Sequence, residues 1–185
     1  MVKAIKTVWN VLSTLILLVI VVLAVLLAGV RLVGLRPFVV LSGSMEPTYH
    51  VGSMIYVKSV DPGSIQVGDP ITFVLNEDLD VATHRVIDID RENQHFYTKG
   101  DANDAADGSP VHFNNLVGKP IFTIPCLGYF ADWLSNPPGI YLAGTGMVIF
   151  AILLFLPDLL AKADESDRKA AAKKAEKEKT DAPVP

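Results

Sequence analysis

The chain has 185 residues, half of them hydrophobic, and a formal net charge of −4. This length allows one core of ordinary domain size beside any membrane segment. Residues 37–136 contain five basic residues against thirteen acidic ones, a net charge of −8. An acidic domain without a basic cluster argues against nucleic acid as a partner. The single cysteine, Cys126, excludes an internal disulfide.

The first element along the chain is an apolar run. Residues 1–6 carry Lys3 and Lys6, and residues 7–30 contain no charged side chain. A helix of about 20 apolar residues crosses a bilayer core, so residues 7–30 are predicted as transmembrane helix 1. A cleavable secretory signal is the alternative. The run is slightly longer than the apolar part of such a signal, which favours an uncleaved anchor.

Residues 31–136 form the next predicted unit, a single domain that is mostly β. Short β-branched, apolar runs alternate there with turns rich in Gly, Pro, Asp and Asn. The predicted strands are Phe38–Leu41, Met54–Val57, Ile71–Leu75, Val81–Ile89, Phe96–Thr98 and Ile121–Ile124. Such a pattern is typical of a small barrel or a folded sheet. Near the end of the domain, the apolar residues of 127–134 have helical spacing, suited either to a membrane interface or to core packing.

A second apolar run, residues 137–157, is predicted as transmembrane helix 2, and residues 158–185 as a charged cytoplasmic tail. Positive residues flank the N-terminal end of the first run and the C-terminal end of the second. Because positive flanks stay in the cytoplasm, both termini are expected inside and the β domain outside the cell membrane. Arg31 and Arg36 oppose this signal, since they follow the first span on its outer side.

Three polar positions suggest nucleophilic catalysis. Ser44 lies in the turn-prone sequence SGSMEPT directly after an apolar strand, and His84 lies in the alternating sequence VATHRVIDI. The loop sequence YTKGDANDAAD follows, with Asp101, Asp104 and Asp107. Serine needs an adjacent base, and that base needs an acceptor to orient its ring. The order Ser, His, Asp is weak evidence alone, because a chain with many acids offers several such triples.

Five segments together carry a family resemblance: SGSMEPT, VGDPITF, THRVI, YTKGDAND and PCLGYF. In this order and spacing, from about Val39 to Gly128, they resemble type I signal peptidases of the branch found in the endoplasmic reticulum, archaea and some Gram-positive spore formers. That branch has histidine where the usual bacterial enzymes have a catalytic lysine. Pro70 departs from the isoleucine or valine common there, and we expect it to affect only the start of a strand.

The resemblance implies a fold and a set of roles. The expected fold is a small signal-peptidase-like β domain anchored between two transmembrane helices. Ser44 would be the nucleophile, His84 the general base, and Ser42 a side-chain donor near the oxyanion. Met45 and Pro47 would shape the turn.

Two acids match family positions implicated in activity. We prefer Asp107 as the partner of His84, with Asp101 holding the site together, and Asp104 is expected to be a loop residue. His50, His95 and His112 lie outside the motifs. No residue set has metal-ligand spacing, so neither a metal nor another cofactor is predicted.

The predicted function is a membrane-bound serine endopeptidase that removes signal peptides from preproteins, cutting after small residues. Its expected partners are preproteins and the lipid bilayer, with the need for further subunits left open. One alternative is a relative of autoproteases with a Ser-Lys dyad, for which Lys58 and Lys99 are available. The other is a non-catalytic anchored binding or assembly module, which would not need Ser44, His84 and an acid together.

Overall fold

The computed structural model of the chain describes residues 2–75 and 80–155, together with Lys162 and Lys169. The chain divides into two units, residues 1–136 and residues 137–185. The first unit contains helix α1 (Val2–Leu27), all the described strands and helix α2 (Leu127–Ser135). The second contains helix α3 (Gly139–Phe155). The predicted tail lies outside the described residues except for Lys162 and Lys169, as do Leu156 and Pro157 of the second predicted span.

Seven strands build the described part of the domain, and every pair is antiparallel. Their spatial order is β1-β2-β7-β3-β4-β5-β6, so β1 and β6 lie at the two edges. The strands are β1 (Leu35–Val39), β2 (Met54–Lys58), β3 (Pro70–Val74), β4 (Val81–Asp90), β5 (His95–Lys99), β6 (Val111–His112) and β7 (Leu116–Ile124).

The prediction of a mostly β domain is confirmed, and the six predicted strands fall on β1–β5 and β7 with small shifts at their ends. The largest shift is in β7, which begins at Leu116 instead of Ile121. Because Pro120 interrupts the apolar pattern there, the sequence did not predict the first half of the strand. The two-residue strand β6 was not predicted because it is too short to show alternation. Pro70 is the first residue of β3, a position where a strand tolerates proline.

Strand β7 joins the two halves of the sheet. Its first part pairs with β3, and its second part, from Lys119 to Ile124, pairs with β2. Gly118 lies at the changeover, with a positive φ of 154°. A Cβ atom at this position would overlap the carbonyl group of Lys58, so glycine allows the two strands to approach closely.

Two apolar clusters support the two ends of the sheet. One is formed by the fully buried residues Ile65, Ile71, Phe73, Val86, Phe96 and Val111. The other contains Val30, Met54, Tyr56 and Leu127, against which the last turns of α1 pack through Leu23, Leu26 and Leu27. The hydroxyl of Tyr56 donates to the carbonyl of Leu26 at 3.0 Å, which satisfies one of the carbonyls left open at a helix C-terminus. The end of α1 is therefore packed on the sheet.

Among the described residues, one helical segment is by itself long and apolar enough to cross a membrane. It is Thr7–Leu27, 21 residues with a mean hydropathy of 3.0. The helix ends three residues before the predicted end of the first span, and a 3₁₀ helix, Gly29–Val33, follows it. Helix α3 is shorter over its described part than the roughly 20 residues that a span needs. A second span and anchoring at both ends stay predictions.

Candidate active site

Ser44 lies in a short 3₁₀ helix, Gly43–Met45, that follows the end of β1. The amide of Glu46 donates to the carbonyl of Gly43 at 3.0 Å and closes this turn. The carbonyl of Ser44 accepts a hydrogen bond from the amide of Ala102 at 2.9 Å. The backbone of Ser44 is thus held directly by the loop that follows β5.

His84 lies in β4, opposite Ile71 of β3. Its side chain is 14% exposed, and its Nε2 atom is 3.1 Å from Ser44 Oγ. Strand β5 pairs with β4 only from Arg85 onward. The imidazole therefore lies just beyond the last paired residue of β5, where a serine carried by another segment can reach it.

Asp107 completes a hydrogen-bonded chain through the histidine. Its Oδ2 atom is 2.6 Å from His84 Nδ1. Because an ionised carboxylate only accepts hydrogen bonds, Nδ1–H is the donor, and Nε2 is left to accept the Ser44 hydroxyl proton. Ser44, His84 and Asp107, far apart in sequence, are brought together in the order that nucleophilic serine catalysis requires.

Thr98 holds Asp107 in place and was not predicted from the sequence. Its hydroxyl donates to Asp107 Oδ2 at 2.6 Å, and its carbonyl accepts the Asp107 amide at 2.9 Å. The side chain of Thr98 is 1% exposed. A polar residue inside a short apolar strand is the only sequence signal for such a role, and many threonines in sheets share it.

Asp101 has a different set of partners from Asp107. The Arg85 guanidinium binds it in a fork, with Nε donating to Oδ1 at 2.7 Å and Nη2 to Oδ2 at 2.6 Å. The Thr48 hydroxyl also donates to Asp101 Oδ2, at 2.5 Å. The hydrogen bonds from Arg85 hold the pKa of Asp101 below its ordinary value, although partial burial opposes them.

The Arg85–Asp101–Thr48 cluster connects three segments of the site. Arg85 follows His84 in β4, Thr48 lies after the Ser44 turn, and Asp101 belongs to the loop that carries Asp107. Arg85 Nη1 also donates to the carbonyl of Gly68 at 2.7 Å. The role of Asp101 in holding the site together stays a prediction.

The remaining predicted positions are near the nucleophile or separate from it. Ser42 Oγ is 3.3 Å from Ser44 Oγ, and Met45 is buried beneath the turn. Asp104 is exposed. His50 pairs with Glu46, and the rings of His95 and His112 contact each other edge to face between β5 and β6. Across residues 2–75 and 80–155, no cluster of side chains could hold a metal ion.

A groove of about 630 Å³ opens beside the Ser44–His84 pair. One wall is the chain from Phe38 to Ser42 at the end of β1. The opposite wall includes Leu75, which follows β3, and the segment from Val81 to His84 at the start of β4. Met45, Ile55 and other apolar side chains line it. Within the strand pairs of the described residues, β1 pairs only with β2, and Val81–His84 of β4 pair only with β3. Each wall therefore offers a backbone edge to which an extended peptide can add.

Comparison with known proteins identifies the family. The family described as signal peptidase, peptidase S26, matches residues 12–106. The chain therefore belongs to this family. The match covers Ser44, His84 and Asp101 and stops one residue before Asp107, so the pairing of Asp107 with His84 depends on the geometry above.

Several signal peptidases are similar to this member of the family. It is 39% identical over 121 residues to signal peptidase I W of Bacillus subtilis, an alignment covering 60% of this chain and 63% of the relative. It is 31% identical over 128 residues to the signal peptidase complex catalytic subunit SEC11 of Zygosaccharomyces rouxii, covering 63% and 75%. With human SEC11C the identity is 38% over 111 residues, covering 54% and 57%. The chain thus spans between about half and three quarters of each of these relatives.

Proposed function

We propose that this protein is a membrane-bound serine endopeptidase that removes signal peptides from preproteins. The observation that carries the proposal is the hydrogen-bonded chain from Ser44 Oγ through His84 to Asp107, with distances of 3.1 Å and 2.6 Å. Membership of the signal peptidase family and the adjacent groove support it. In this proposal the first apolar segment anchors the protein, and the β domain lies on the extracytoplasmic side.

The proposed reaction starts with proton transfer from the Ser44 hydroxyl to His84 Nε2. Ser44 Oγ forms a bond to the scissile carbonyl carbon, and the carbonyl oxygen becomes an oxyanion. Ser42 Oγ and the backbone N–H groups of the Ser44 turn are the proposed donors to that oxyanion, and the loss of one such donor costs about 3 to 4 kcal/mol. Asp107 keeps the imidazole oriented and stabilises its cation.

Collapse of the tetrahedral intermediate breaks the carbon–nitrogen bond. His84 gives its proton to the leaving amine, which is the N-terminus of the mature protein. A water molecule then loses its proton to His84 and attacks the Ser44 ester, which releases the signal peptide as a carboxylic acid and restores the serine.

The proposed substrate lies as an extended strand between the end of β1 and the start of β4. A signal peptide leaves the bilayer as its apolar helix ends, and the short connection from α1 to β1 keeps the groove close to that point. A preference for small residues before the cut would follow from steric exclusion by apolar side chains such as Met45 and Ile55 in the groove.

The two alternatives have less support in the site. In a Ser-Lys autoprotease-like relative, a lysine would occupy the position of the base, whereas His84 is the group beside Ser44. A non-catalytic module gives no reason for Ser44, His84 and Asp107 to be aligned at hydrogen-bonding distances. Two relatives are named as catalytic subunits of a complex.

The test is cleavage of a preprotein by the purified full chain in detergent. We expect the wild type to release the mature protein and Ser44→Ala to leave the preprotein intact, with the two proteins equally folded by circular dichroism. Ser42→Ala should be slowed only by the loss of one donor. Cleavage by Ser44→Ala at the wild-type rate would refute the proposed mechanism, and its absence in the wild type would refute the proposed activity.

A further inference from the structure

Two arginines line one cavity where α1 gives way to the sheet. Arg31 belongs to the 3₁₀ helix after α1, and Arg36 belongs to β1. The cavity has a volume of about 560 Å³, and its wall includes Leu35, Phe38 and Ser59. Phe38 also lines the catalytic groove, but Arg31 and Arg36 lie toward the opposite end of β1 from the Ser44 turn.

The charges of both arginines are uncompensated within the described parts of the chain. Both side chains are exposed, and neither takes part in the ion pairs found there. The next two acids along the chain have other partners: Glu46 pairs with His50, and Asp61 accepts a hydrogen bond from the Gly63 amide in its own turn. Two arginines that line one cavity bring two positive charges to it, and guanidinium groups bind phosphate through pairs of parallel hydrogen bonds.

The surroundings of the cavity are apolar on the side of α1. Leu32 is 91% exposed and Val33 is 72% exposed, and they stand beside Arg31 in the 3₁₀ helix. The 21-residue apolar segment Thr7–Leu27 ends only four residues before Arg31. A ligand that fits both features has a negatively charged phosphate attached to hydrocarbon chains.

We propose that this cavity binds the phosphate of an anionic phospholipid, whose acyl chains lie along the end of α1 and against Leu32 and Val33. The inference rests on the proposed insertion of α1 in the membrane. It explains why two arginines follow the span on the side where positive charge opposes the proposed orientation. Because β1 leads from the cavity to the Ser44 turn, the bound lipid would hold the groove at a constant height above the bilayer.

The test uses the full chain carrying Ser44→Ala, so that its result is independent of catalysis. The protein is placed in nanodiscs of phosphatidylcholine mixed with phosphatidylglycerol, and the lipid retained after extraction is measured by native mass spectrometry. We expect phosphatidylglycerol to be retained preferentially. Each arginine near an anionic surface contributes a factor of about five in affinity, so Arg31→Gln with Arg36→Gln should reduce retention about tenfold or more.

Two variants control for charge and for folding. Arg91→Gln removes one exposed arginine from the turn after β4 and should leave retention unchanged. Replacing Arg31 and Arg36 with lysine keeps the charge and should keep most of the preference. Thermal unfolding in detergent checks that each variant is folded, as expected for changes at exposed side chains.

Three results would overturn the proposal. Equal retention of phosphatidylglycerol by the folded double glutamine variant would show that the arginines do not bind it. Retention of phosphatidylcholine equal to that of phosphatidylglycerol would show that the site does not select for negative charge. Competition by sn-glycerol 3-phosphate at similar concentration would show that the site takes a free phosphate and that the acyl chains contribute nothing.

Discussion

At the scale of single residues, the two acids of the loop after β5 have separate partners. Asp107 contacts the proposed base, whereas Asp101 contacts the guanidinium of Arg85. The first contact affects the histidine that must accept a proton, and the second affects how three segments are held together. Substitutions at the two positions should therefore fail in different ways.

We expect Asp107→Asn to lower kcat by about 10³- to 10⁴-fold with little change in substrate choice, because an amide can hold the imidazole in the wrong tautomer. Preprotein cleavage by purified protein measures this. Asp104→Asn makes the same chemical change at an exposed position of the same loop and should retain activity. A folded but inactive Asp101→Asn beside a near-normal Asp107→Asn would reverse the roles we assign.

Asp101 should make stability depend on pH. Hydrogen bonds from Arg85 lower its pKa in the folded state, so its stabilising contribution is present above the unfolded pKa of about 4 and disappears as pH falls through the folded value. The difference in unfolding free energy between wild type and Asp101→Asn should be largest near neutral pH and shrink below about pH 4.

Thermal unfolding in detergent, followed by circular dichroism over a pH series, measures that difference. Gly108→Ala adds no titratable group and has open space around its Cβ position, so it serves as a control whose offset from wild type should not vary with pH. A difference between wild type and Asp101→Asn that stays constant down to acidic pH would contradict the prediction.

His84→Lys should be inactive at neutral pH, although the family resemblance implies that lysine serves as the base in the usual bacterial branch. A lysine base must be neutral, which requires its pKa to fall by about 3 units from about 10.4, at a cost of about 4 kcal/mol. Asp107 and the nearby Asp101 would instead stabilise the ammonium group. A pH–rate profile is the measurement, with at most slight activity expected at alkaline pH. Near-wild-type cleavage at pH 7 would show that the pocket suits lysine and that Asp107 is misassigned.

At the scale of elements, the site depends on how closely two loops approach each other. The loop after β5 lies against the backbone of the Ser44 turn, and a Cβ atom at Gly100 would lie 2.6 Å from the Ser44 carbonyl oxygen. That carbonyl belongs to the backbone and cannot rotate away as a side chain would. Glycine at position 100 therefore allows the loop to approach the Ser44 turn this closely.

Gly100→Ala should consequently impair catalysis more than stability. A displacement of the Ser44 turn by a fraction of an ångström to 1 Å can reduce kcat by about 10- to 100-fold. Gly108→Ala, in the same loop with no atom within 4 Å of its Cβ position, is the matched control and should cleave preprotein at nearly the wild-type rate. Equal activity of the two variants would mean that the loop contact does not position Ser44.

At the scale of the whole molecule, α1 and the sheet act as one packed unit. The last turns of α1 bury Tyr56, Met54 and Leu127, and Tyr56 binds the Leu26 carbonyl. With α1 inserted as we propose, such packing would fix the height of the domain above the bilayer.

The proposed orientation, with both termini inside and the domain outside, can be tested with the single native cysteine. Cys126 is exposed, so a membrane-impermeant maleimide added to intact cells should label it. In a Cys126→Ser background, a cysteine replacing Asn103 should also be labelled, whereas one replacing Ala171, in the tail, should react only after permeabilisation. Labelling of the tail but not of Cys126 or position 103 in intact cells would contradict the orientation.

The sequence by itself determined the β class, the apolar segments, and Ser44 and His84 as candidates. These follow from local patterns, because strand alternation, apolar runs and the SGSMEPT and THRVI motifs are each read within a few residues. The choice between Asp101 and Asp107 was a preference, since two acids in one loop look alike in sequence. Only the tertiary structure decided their partners, because β4–β5 register and the loop path direct one carboxylate to His84 and the other to Arg85. The sequence did not predict the roles of Thr98 and Thr48 for the same reason, because a side-chain hydrogen bond of 2.5 to 2.6 Å to a loop carboxylate leaves no periodic pattern in the chain.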